Sequence, residues 1–315
     1  MNFPKVFIII LNWNGLQDTL DCLASVFKLN YDKYEVVIVD NGSTDDSYKI
    51  IGMTYPRVVL LQNGENLGFA GGNNVGIKYA LDQGAEYIWL LNNDTVVEYD
   101  ALTNMVAEAE KDSSVGIAGS KIYYYNSLKT IWFTGAKVDW LRGISNHIGM
   151  GETDVGQYDY IKDVDRVTGC SMLVKKDVCD KTGIFDEKFF LYVEEVDWCV
   201  RARRVGFKCI LVPTSVIYHK ASSSVSRTGV WHNIFGYYNT RNFLYLTKKS
   251  FTFPVREIIL LNLIFLKIWR EKRNILKMLF SLRDFSFKIK PREAPVLFAI
   301  RDFFIGKMGR VDYTF

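Results

Sequence analysis

Apolar runs of strand length alternate with amphipathic segments of helix length over the first third of the chain. The apolar runs are residues 6–11, 36–39, 58–62 and 87–91, and the amphipathic segments are residues 16–29, 45–53, 70–83 and 102–111. Short strands separated by helices are typical of a mostly parallel sheet that is covered by helices on both faces. The pattern therefore predicts an α/β fold.

The pattern is less regular further along the chain. Residues 115–174 are rich in Gly, Tyr and short β-prone runs, which predicts an irregular, partly antiparallel subdomain. A helix is predicted over residues 193–205 because Gly206 is a typical C-terminal cap. Two further strands are predicted at residues 208–212 and 215–219.

Polar residues directly follow three of the predicted strands. The clusters are Asn12-Trp13-Asn14, Asp40-Asn41-Gly42-Ser43 and Asn92-Asn93-Asp94. Open α/β sheets bind ligands at the carboxyl ends of their parallel strands. We therefore expect the three loops to converge on one crevice.

The composition indicates a folded protein of the cytoplasm. Of the 315 residues, 49% are hydrophobic, which is enough for one large α/β core and an appended unit. The five cysteines are scattered and form no C-x-x-C pair, so neither a disulfide framework nor a structural zinc site is predicted. The run 6–11 is shorter than a signal-peptide core, and we expect it to be a buried strand.

Three carboxylates, Glu194, Glu195 and Asp197, lie in an otherwise apolar segment. Desolvation and mutual repulsion raise the free energy of clustered acidic groups, so such a cluster typically serves a metal, a cationic partner or proton transfer. The alternative is an acidic helix start, with the carboxylates at the positive end of the helix dipole and Trp198 in the core. The segment alone leaves both interpretations open.

Two strand-end carboxylates are candidates for ligand binding. Asp40 can accept hydrogen bonds from a base or a ribose, and an Asp cap of a strand-to-helix turn is the alternative. Asp94 suits a metal–diphosphate site, because Mg²⁺ takes one or two protein carboxylates and completes its shell with phosphate and water. A polar turn is the alternative there. His219 ends another apolar strand, where an imidazole can bind the metal or the diphosphate, although a lone histidine is more often structural.

The segment 66–76 contains glycines that permit close backbone approach to a flat or phosphorylated ligand ahead of a helix N-terminus. It is neither a Walker loop nor a dinucleotide fingerprint. Residues 66–74 contain no Lys or Arg, which argues against a nucleotidyltransferase, since that class needs a basic loop for a triphosphate.

Taken together along residues 4–245, these segments resemble a family-2 inverting glycosyltransferase of the GT-A fold, in its rhamnosyltransferase-like branch. The motifs are Leu11-Asn12-Trp13-Asn14-Gly15, Val39-Asp40-Asn41-Gly42-Ser43-Thr44-Asp45, Asn66-Leu67-Gly68-Phe69-Ala70-Gly71-Gly72-Asn73-Asn74, Leu91-Asn92-Asn93-Asp94, Gly183-Ile184-Phe185-Asp186-Glu187 and Glu194-Glu195-Val196-Asp197. Their order is more specific than any one of them. The resemblance implies a GT-A catalytic domain with a mostly parallel central sheet.

The resemblance also assigns roles to residues. It places Leu11, Asn12, Trp13, Asp40, Gly71, Asn74, Asn92 and Asn93 around the donor, with Asp40 on the nucleotide base. It places Asp94 and His219 on a divalent metal, Mg²⁺ or Mn²⁺. Asp197, Trp198 and Arg241 are placed on the acceptor side.

The chain departs from the family pattern at two points. Asn92 replaces the first Asp of the D-x-D motif, which keeps an oxygen acceptor and loses a charge. Glu194-Glu195 replaces the usual Glu-Asp pair, so the base is assigned to Glu195, with Glu194 next. A catalytically inactive module that binds a sugar nucleotide or a glycan is the alternative that Asn92 favours.

The mechanism that the resemblance implies is a single in-line displacement. Glu195 takes the proton of an acceptor hydroxyl, the oxygen attacks the anomeric carbon, and the nucleoside diphosphate leaves from the opposite face with inversion. The branch points first to thymidine diphosphate rhamnose as the donor. It also implies a glycan or lipid-linked acceptor in surface polysaccharide synthesis.

The carboxyl-terminal region is basic, with fifteen Lys and Arg against six Asp and Glu in residues 248–312. The apolar stretch 255–269 falls short of the roughly twenty residues that span a bilayer. After it, basic and apolar residues interleave, which suits a helix lying on an anionic membrane face; packing against the catalytic domain or a dimer partner is the alternative. The interleaved basic residues are Arg270, Lys272, Arg273 and Lys277.

We therefore expect a GT-A catalytic domain over residues 1–225 and a helical extension over residues 226–315. The protein is expected to be cytoplasmic and peripheral to the inner face of the membrane, with a homodimer through the extension as a further expected assembly. Nucleic acid is not an expected partner, because Ile and Leu dominate between the basic residues.

Overall fold

The computed structural model describes residues 3–220, 229–270 and 291–313. The chain divides into two compact units. The first comprises Met1–Lys137, Asn146–Asp186 and Glu194–Ala221, and the second comprises Val138–Ser145, Glu187–Val193 and Ser222–Phe315. The predicted division between residues 225 and 226 lies outside the described residues and stays a prediction. The basic positions 272, 273 and 277 lie outside them as well.

The strands follow the predicted apolar runs closely. They are β1 (Val6–Asn12), β2 (Tyr34–Asp40), β3 (Val59–Gln62), β4 (Tyr87–Asn92), β5 (Thr95–Val97), β6 (Val115–Tyr124), β7 (Ser127–Phe133), β8 (Ala136–Asp139), β9 (Ile144–His147), β10 (Lys162–Asp163), β11 (Ser171–Lys175) and β12 (Lys208–His219). The two strands predicted at 208–212 and 215–219 are one strand, β12, with an irregularity between Val212 and Val216.

The helices of the first unit are α1 (Leu16–Val26), α2 (Ser47–Thr54), α3 (Gly68–Asp82), α4 (Ala101–Lys111), α5 (Lys176–Thr182) and α6 (Glu194–Arg204). The main sheet has the order β10-β12-β6-β11-β4-β1-β2-β3. Strands β4, β1, β2 and β3 are parallel neighbours, β6 and β12 are parallel, and β11 runs antiparallel between β4 and β6. The prediction of an α/β fold is confirmed, with a mixed sheet.

Both faces of the sheet are covered, which is why β1, β2 and β4 are nearly continuous apolar runs up to their polar ends. Ile8 and Ile10 of β1 face a core shared with Leu23 of α1, whereas Phe7 and Ile9 face a second core shared with Ile77 of α3. The register sets Asn12 beside Asp40 and Leu11 beside Asn92. The carboxyl ends of β1, β2 and β4 are therefore neighbours, as predicted.

The glycine-rich segment lies inside helix α3, which begins at Gly68. A Cβ on Gly72 would lie 2.5 Å from Cδ1 of Leu11, and one on Gly76 would lie 2.6 Å from Cγ2 of Ile9. These two glycines therefore let the helix pack directly on β1. The expected loop that approaches a ligand ahead of a helix is, at these positions, a helix that approaches the sheet.

The described part of the second unit is mainly helical. Its elements are α7 (Gly229–Ser250), α8 (Val255–Arg270), α9 (Pro295–Phe304) and short 3-10 helices at Glu187–Phe189 and Pro291–Glu293. Its core joins Leu244 of α7 to Ile259 and Leu263 of α8 and to Val296 and Ile300 of α9. None of the helices within the described ranges is both long and apolar enough to cross a membrane.

Candidate active site

The loops after β1 and β2 are held together by buried hydrogen bonds. The side-chain amide of Asn12 donates to Oδ2 of Asp40 at 2.9 Å and to Oγ of Ser43 at 3.1 Å, and the amide N–H of Ser43 donates to Oδ1 of Asp40 at 3.0 Å. Asp40 and Asn12 are fully buried. The structure thus brings these two residues together at the strand ends. Their contact with a nucleotide base stays a prediction.

Trp13 is the exposed side chain of this strand-end cluster. Its indole is 49% exposed, because Asn14, with a φ of 51°, turns the chain back and accepts a hydrogen bond from the amide of Thr44 at 2.7 Å. A half-exposed indole offers a flat face on which a base can stack. Contact of Trp13 with the donor stays a prediction, which this exposure favours.

The remaining donor residues are more deeply placed. Asn74 is buried and brackets Phe185 by accepting from its amide at 3.2 Å and donating to its carbonyl at 2.9 Å. Leu11 lies against Gly72, and the position of a Cβ on Gly71 lies 2.9 Å from Cβ of Leu67, the residue before the same helix. These contacts position the helix and its neighbours. Direct contact of Leu11, Gly71 and Asn74 with a donor stays a prediction.

At the end of β4, the amide and acidic side chains make different contacts. Asn93 donates to Oγ1 of Thr19 at 3.0 Å, which ties the turn to α1. Asn92 is half-buried, and its carbonyl accepts from Oγ1 of Thr95 at 2.7 Å. Oδ1 of Asp94 lies 3.1 Å from Nε2 of His219. The structure therefore brings together the two residues predicted to bind the metal.

The Asp94–His219 pair is a buried ion pair, with side chains 13% and 9% exposed. Burial alone raises the pKa of Asp94, but the hydrogen bond and the charge of His219 outweigh it and hold that pKa below its ordinary value. Burial works the other way on His219, and the neighbouring Cys170 and Asp94 prevail and raise the pKa of His219 to about 10. These shifts favour carboxylate and imidazolium, and the imidazole must lose its proton before it can bind a cation.

The pair fits a divalent cation that is shared with a phosphate ligand. In residues 3–220, 229–270 and 291–313, no group of three or more His, Cys, Asp and Glu side chains is placed to hold a metal on its own. Nδ1 of His219 is buried and has no hydrogen-bond partner in the same ranges. One carboxylate with one imidazole leaves most of a cation's shell to diphosphate oxygens and water, which is how Mg²⁺ is usually bound.

The second acidic position lies at the start of α6. Nη1 of Arg166 donates to Oε1 of Glu195 at 2.7 Å, and the arginine is 3% exposed. Its guanidinium also lies 5.6 Å from the ring centre of Phe133. Oε2 of Glu195 is buried and has no hydrogen-bond partner within the described ranges. The carboxylate is thus held at one oxygen and unbonded at the other.

Glu194 differs from its neighbour because, among the described residues, no ion pair holds it. It is 4% exposed, and its Oε2 is buried and unpartnered in the described part of the chain. Burial, and then the charge of Glu195, raise the pKa of Glu194 well above its usual range. Glu194 therefore holds a proton more firmly than an ordinary glutamate. The cluster is also an acidic helix start with a buried Trp198, so both sequence interpretations describe it in part.

The turn at Gly169 and Cys170 lies next to both Glu195 and the end of β4. Gly169 lies beside Glu195, since a Cβ built on it would be 3.9 Å from the Cβ of Glu195. The next residue, Cys170, accepts a hydrogen bond from the amide of Asn92 at 3.0 Å. Because consecutive Cα atoms are about 3.8 Å apart, Glu195 and the end of β4 flank the same turn. A cleft shared by Glu195 and Asp94 stays a prediction that this proximity favours.

The residues predicted on the acceptor side are buried. Trp198 is fully buried and donates to the carbonyl of Gly183 at 2.9 Å, and Asp197 pairs with Arg201 at 2.7 Å. Arg241, in the second unit, is fully buried and donates to the carbonyl of Gly309 at 2.8 Å and to that of Phe189 at 3.2 Å. These contacts support loops and a helix. An acceptor contact stays a prediction that the buried positions do not favour.

Arg166 is the site residue that the sequence did not reveal. It lies 29 residues before Glu195, in a segment predicted to be irregular, and nothing in its neighbours signals an ion pair. The available signal was an arginine between Val164 and Val167, which are both buried. An arginine in such surroundings needs an acidic partner.

Residues 7–182, more than half of the chain, match the family model described as Glycosyl transferase family 2. The dTDP-rhamnosyl transferase RfbF of Shigella flexneri is 25% identical over 271 residues, which cover 81% of this chain and 85% of the relative. The N-acetylglucosaminyl-diphospho-decaprenol L-rhamnosyltransferase of Mycobacterium tuberculosis is 26% identical over 227 residues, 64% of this chain and 72% of the relative. The low-salt glycan biosynthesis hexosyltransferase Agl10 of Haloferax volcanii is 26% identical over 62% of this chain, which spans 61% of its length.

Two solved structures share the fold. The mannosyltransferase PcManGT of Pyrobaculum calidifontis, in complex with GDP-Man and Mn²⁺, aligns with a TM-score of 0.60 at 16% identity over 98% of this chain and 89% of its own. GalNAc-T7 with UDP, GalNAc and Mn²⁺ aligns with a TM-score of 0.58 at 14% identity over 80% of this chain and 52% of its own. The predicted GT-A fold is confirmed.

Proposed function

The chain belongs to glycosyl transferase family 2 and is a glycosyltransferase, and we propose that it transfers a sugar with inversion from a nucleoside diphosphate donor to a hydroxyl of a glycan or lipid-linked acceptor. Rhamnose is the sugar we propose, because two relatives are named for rhamnosyl transfer. The observation that carries the proposal is the carboxylate of Glu195. One of its oxygens accepts a hydrogen bond from buried Arg166, and the other has no hydrogen-bond partner among the described residues.

Glu195 acts as the general base. Its unbonded oxygen takes the proton of the acceptor hydroxyl as that oxygen forms a bond to the anomeric carbon, and the bond from this carbon to the diphosphate breaks on the opposite face. Arg166 orients the carboxylate, and Glu194, whose pKa is raised, holds a proton more firmly and is the weaker proton acceptor. General-base assistance of this kind contributes about 10²–10⁴-fold to the rate.

Trp13, Asn12 and Asp40 form the proposed base-binding end of the donor site, and Asp94 with His219 forms its diphosphate end. Asp94 and His219 hold a divalent cation, Mg²⁺ or Mn²⁺, and the presence of Mn²⁺ with the sugar nucleotides of the structural relatives supports this class of cofactor. When bound, such a cation neutralises charge on the leaving diphosphate. Asn92, in place of a carboxylate, leaves Asp94 as the charged protein ligand of this turn.

The proposed setting is polysaccharide synthesis at the cytoplasmic face of a membrane. The relatives act on glycans and on a decaprenol-linked acceptor by their names. We propose that this enzyme works as a peripheral protein on an acceptor of that kind. A homodimer through the carboxyl-terminal helices is an alternative use of the second unit.

Turnover of a panel of nucleotide sugars with Mg²⁺ or Mn²⁺ tests the proposal. We expect one donor, first among them thymidine diphosphate rhamnose, to be hydrolysed slowly without acceptor and to raise the thermal midpoint of unfolding. Glu195→Gln is expected to lose about 10²–10⁴-fold in turnover while the donor still raises the thermal midpoint. Glu108→Gln, on the partly exposed face of α4, is the matched control and keeps full turnover.

A module that binds sugar nucleotides without catalysis is the second candidate, since Asn92 lacks the usual charge. Donor-induced stabilisation of the wild type with no turnover at any cation or acceptor would favour that candidate. Neither stabilisation nor turnover with any donor would overturn both.

A further inference from the structure

The imidazole of His219 is held by a hydrogen bond at one ring atom only, as far as the described residues show. Its Nε2 lies 3.1 Å from Oδ1 of Asp94, whereas its buried Nδ1 has no hydrogen-bond partner among those residues. One hydrogen bond fixes the distance and direction at one atom and leaves the tilt of the ring to its packing. The orientation of the imidazole therefore depends on the side chains that touch it.

Trp132, on β7, supplies such a contact. Its indole meets the imidazole of His219 edge to face, with ring centroids 4.4 Å apart and the two planes at 73°. Aromatic rings favour this arrangement because the positive edge of one ring meets the negative face of the other, and the contact stabilises the pair beyond the area it buries. Any large apolar side chain could bury the same area, but only a ring provides this geometry.

The same indole belongs to a cluster that reaches the second ion pair. Trp132 packs edge to face on the imidazole of His147, with centroids 4.9 Å apart, and His147 packs in the same way on Phe133 at 4.9 Å. The ring of Phe133 lies 5.6 Å from the guanidinium of Arg166, the partner of Glu195. These contacts restrain the indole, which can therefore restrain His219 in turn.

We propose that Trp132 is a positioning residue of the transferase. It holds the imidazole of His219 with Nε2 toward Asp94, where these two side chains can take one divalent cation. The inference deepens the proposed function, on which it rests. Trp132 acts through His219, so its loss weakens cation binding although both ligands remain in the chain.

Binding of Mn²⁺ alone to the full chain, followed by electron paramagnetic resonance of the free ion, tests this role without turnover. Trp132→Leu keeps an apolar side chain and removes the ring, and it is expected to weaken Mn²⁺ binding by about twofold to tenfold, the contribution of an edge-to-face pair. Trp132→Phe keeps a ring and is expected to restore most of the affinity.

Trp140→Leu is the matched control. Its half-buried indole packs edge to face on Phe251 within the second unit, with centroids 4.9 Å apart. This variant loses a contact of the same kind and is expected to bind Mn²⁺ as the wild type does.

A double-mutant cycle separates positioning from a general effect on the fold. In a His219→Ala background, Trp132→Leu is expected to leave the remaining Mn²⁺ affinity unchanged, because the ring that Trp132 orients is absent. Equal weakening by Trp132→Leu in both backgrounds, or no weakening in the wild type, overturns the positioning role. Donor turnover by a wild type that binds no Mn²⁺ overturns this inference alone. A wild type with neither turnover nor Mn²⁺ binding overturns the transferase proposal as well.

Discussion

Two buried acidic positions in the first unit differ in the cation that accompanies them. Asp94, at the end of β4, pairs with the imidazole of His219 at 3.1 Å. Glu195, at the start of α6, pairs with the guanidinium of Arg166 at 2.7 Å. An imidazole can release its proton in the physiological range or above it, whereas a guanidinium stays charged wherever the protein is folded.

The difference indicates a division of tasks. A group that binds and releases a charged ligand benefits from a partner whose own charge can change, as the charge of His219 can. A general base must keep its reacting oxygen in place, and a guanidinium that stays charged holds the other oxygen of Glu195. The pairing of each carboxylate therefore agrees with the role proposed for it.

Removing the charge of Asp94 at the strand end is expected to have a larger effect than changing Arg166 or Glu194. Asp94→Asn is expected to lower kcat/KM by about 10²–10³-fold, because the protein ligand that brings positive charge to the leaving diphosphate is lost. Donor affinity is also expected to lose its response to Mn²⁺, which titration calorimetry measures. Asp32→Asn, at an exposed position, is the control. Unchanged turnover in Asp94→Asn would place the cation elsewhere.

Replacing Arg166, the permanently charged partner of Glu195, tests the second ion pair. Arg166→Gln is expected to lower kcat by about tenfold to 100-fold with little change in donor KM, because the carboxylate of Glu195 loses the group that orients it. Breaking a buried pair is also expected to cost about 3–5 kcal/mol of stability.

Arg166→Lys separates catalysis from stability in that test. Lysine keeps the charge and a hydrogen-bond donor, so we expect it to restore part of kcat. A wild-type kcat in Arg166→Gln would mean that the arginine serves the fold alone.

The smallest expected effect concerns Glu194 and the dependence of stability on pH. Its pKa is raised in the folded state, so the folded protein binds more protons than the unfolded chain between the two pKa values, and stability falls as pH rises through that window. Glu194→Gln removes this slope, which for one group is at most about 1.4 kcal/mol per pH unit. Urea unfolding from pH 4 upwards measures it. Parallel curves for the wild type and Glu194→Gln would contradict the assignment.

Local pattern predicted the sheet well, because strands covered on both faces are recognisable as apolar runs. β1, β2 and β4 end within a residue of their predicted ends, and the polar residues that follow them converge as expected. The local pattern did not bring Asp94 and His219 together, because 125 residues separate them, and only the family resemblance assigned both to one metal.

Other features depend on tertiary contacts that no local pattern encodes. The glycines of α3 were assigned to a ligand loop, and they serve the close packing of a helix on β1. Arg241 and Trp198 were assigned to the acceptor, and their polar atoms bind backbone carbonyls. The ion pair of Arg166 and Glu195 depends on how the turn before β11 meets α6.

The central claim is that Asp94 and Glu195 serve one reaction from two sides of a shared cleft. A crystal structure of the protein with its nucleoside diphosphate and Mn²⁺ tests this most directly. The account predicts a diphosphate beside Asp94 and His219, with the unbonded oxygen of Glu195 opening onto the space next to it. A diphosphate bound elsewhere, or a Glu195 separated from it by packed side chains, would contradict the account.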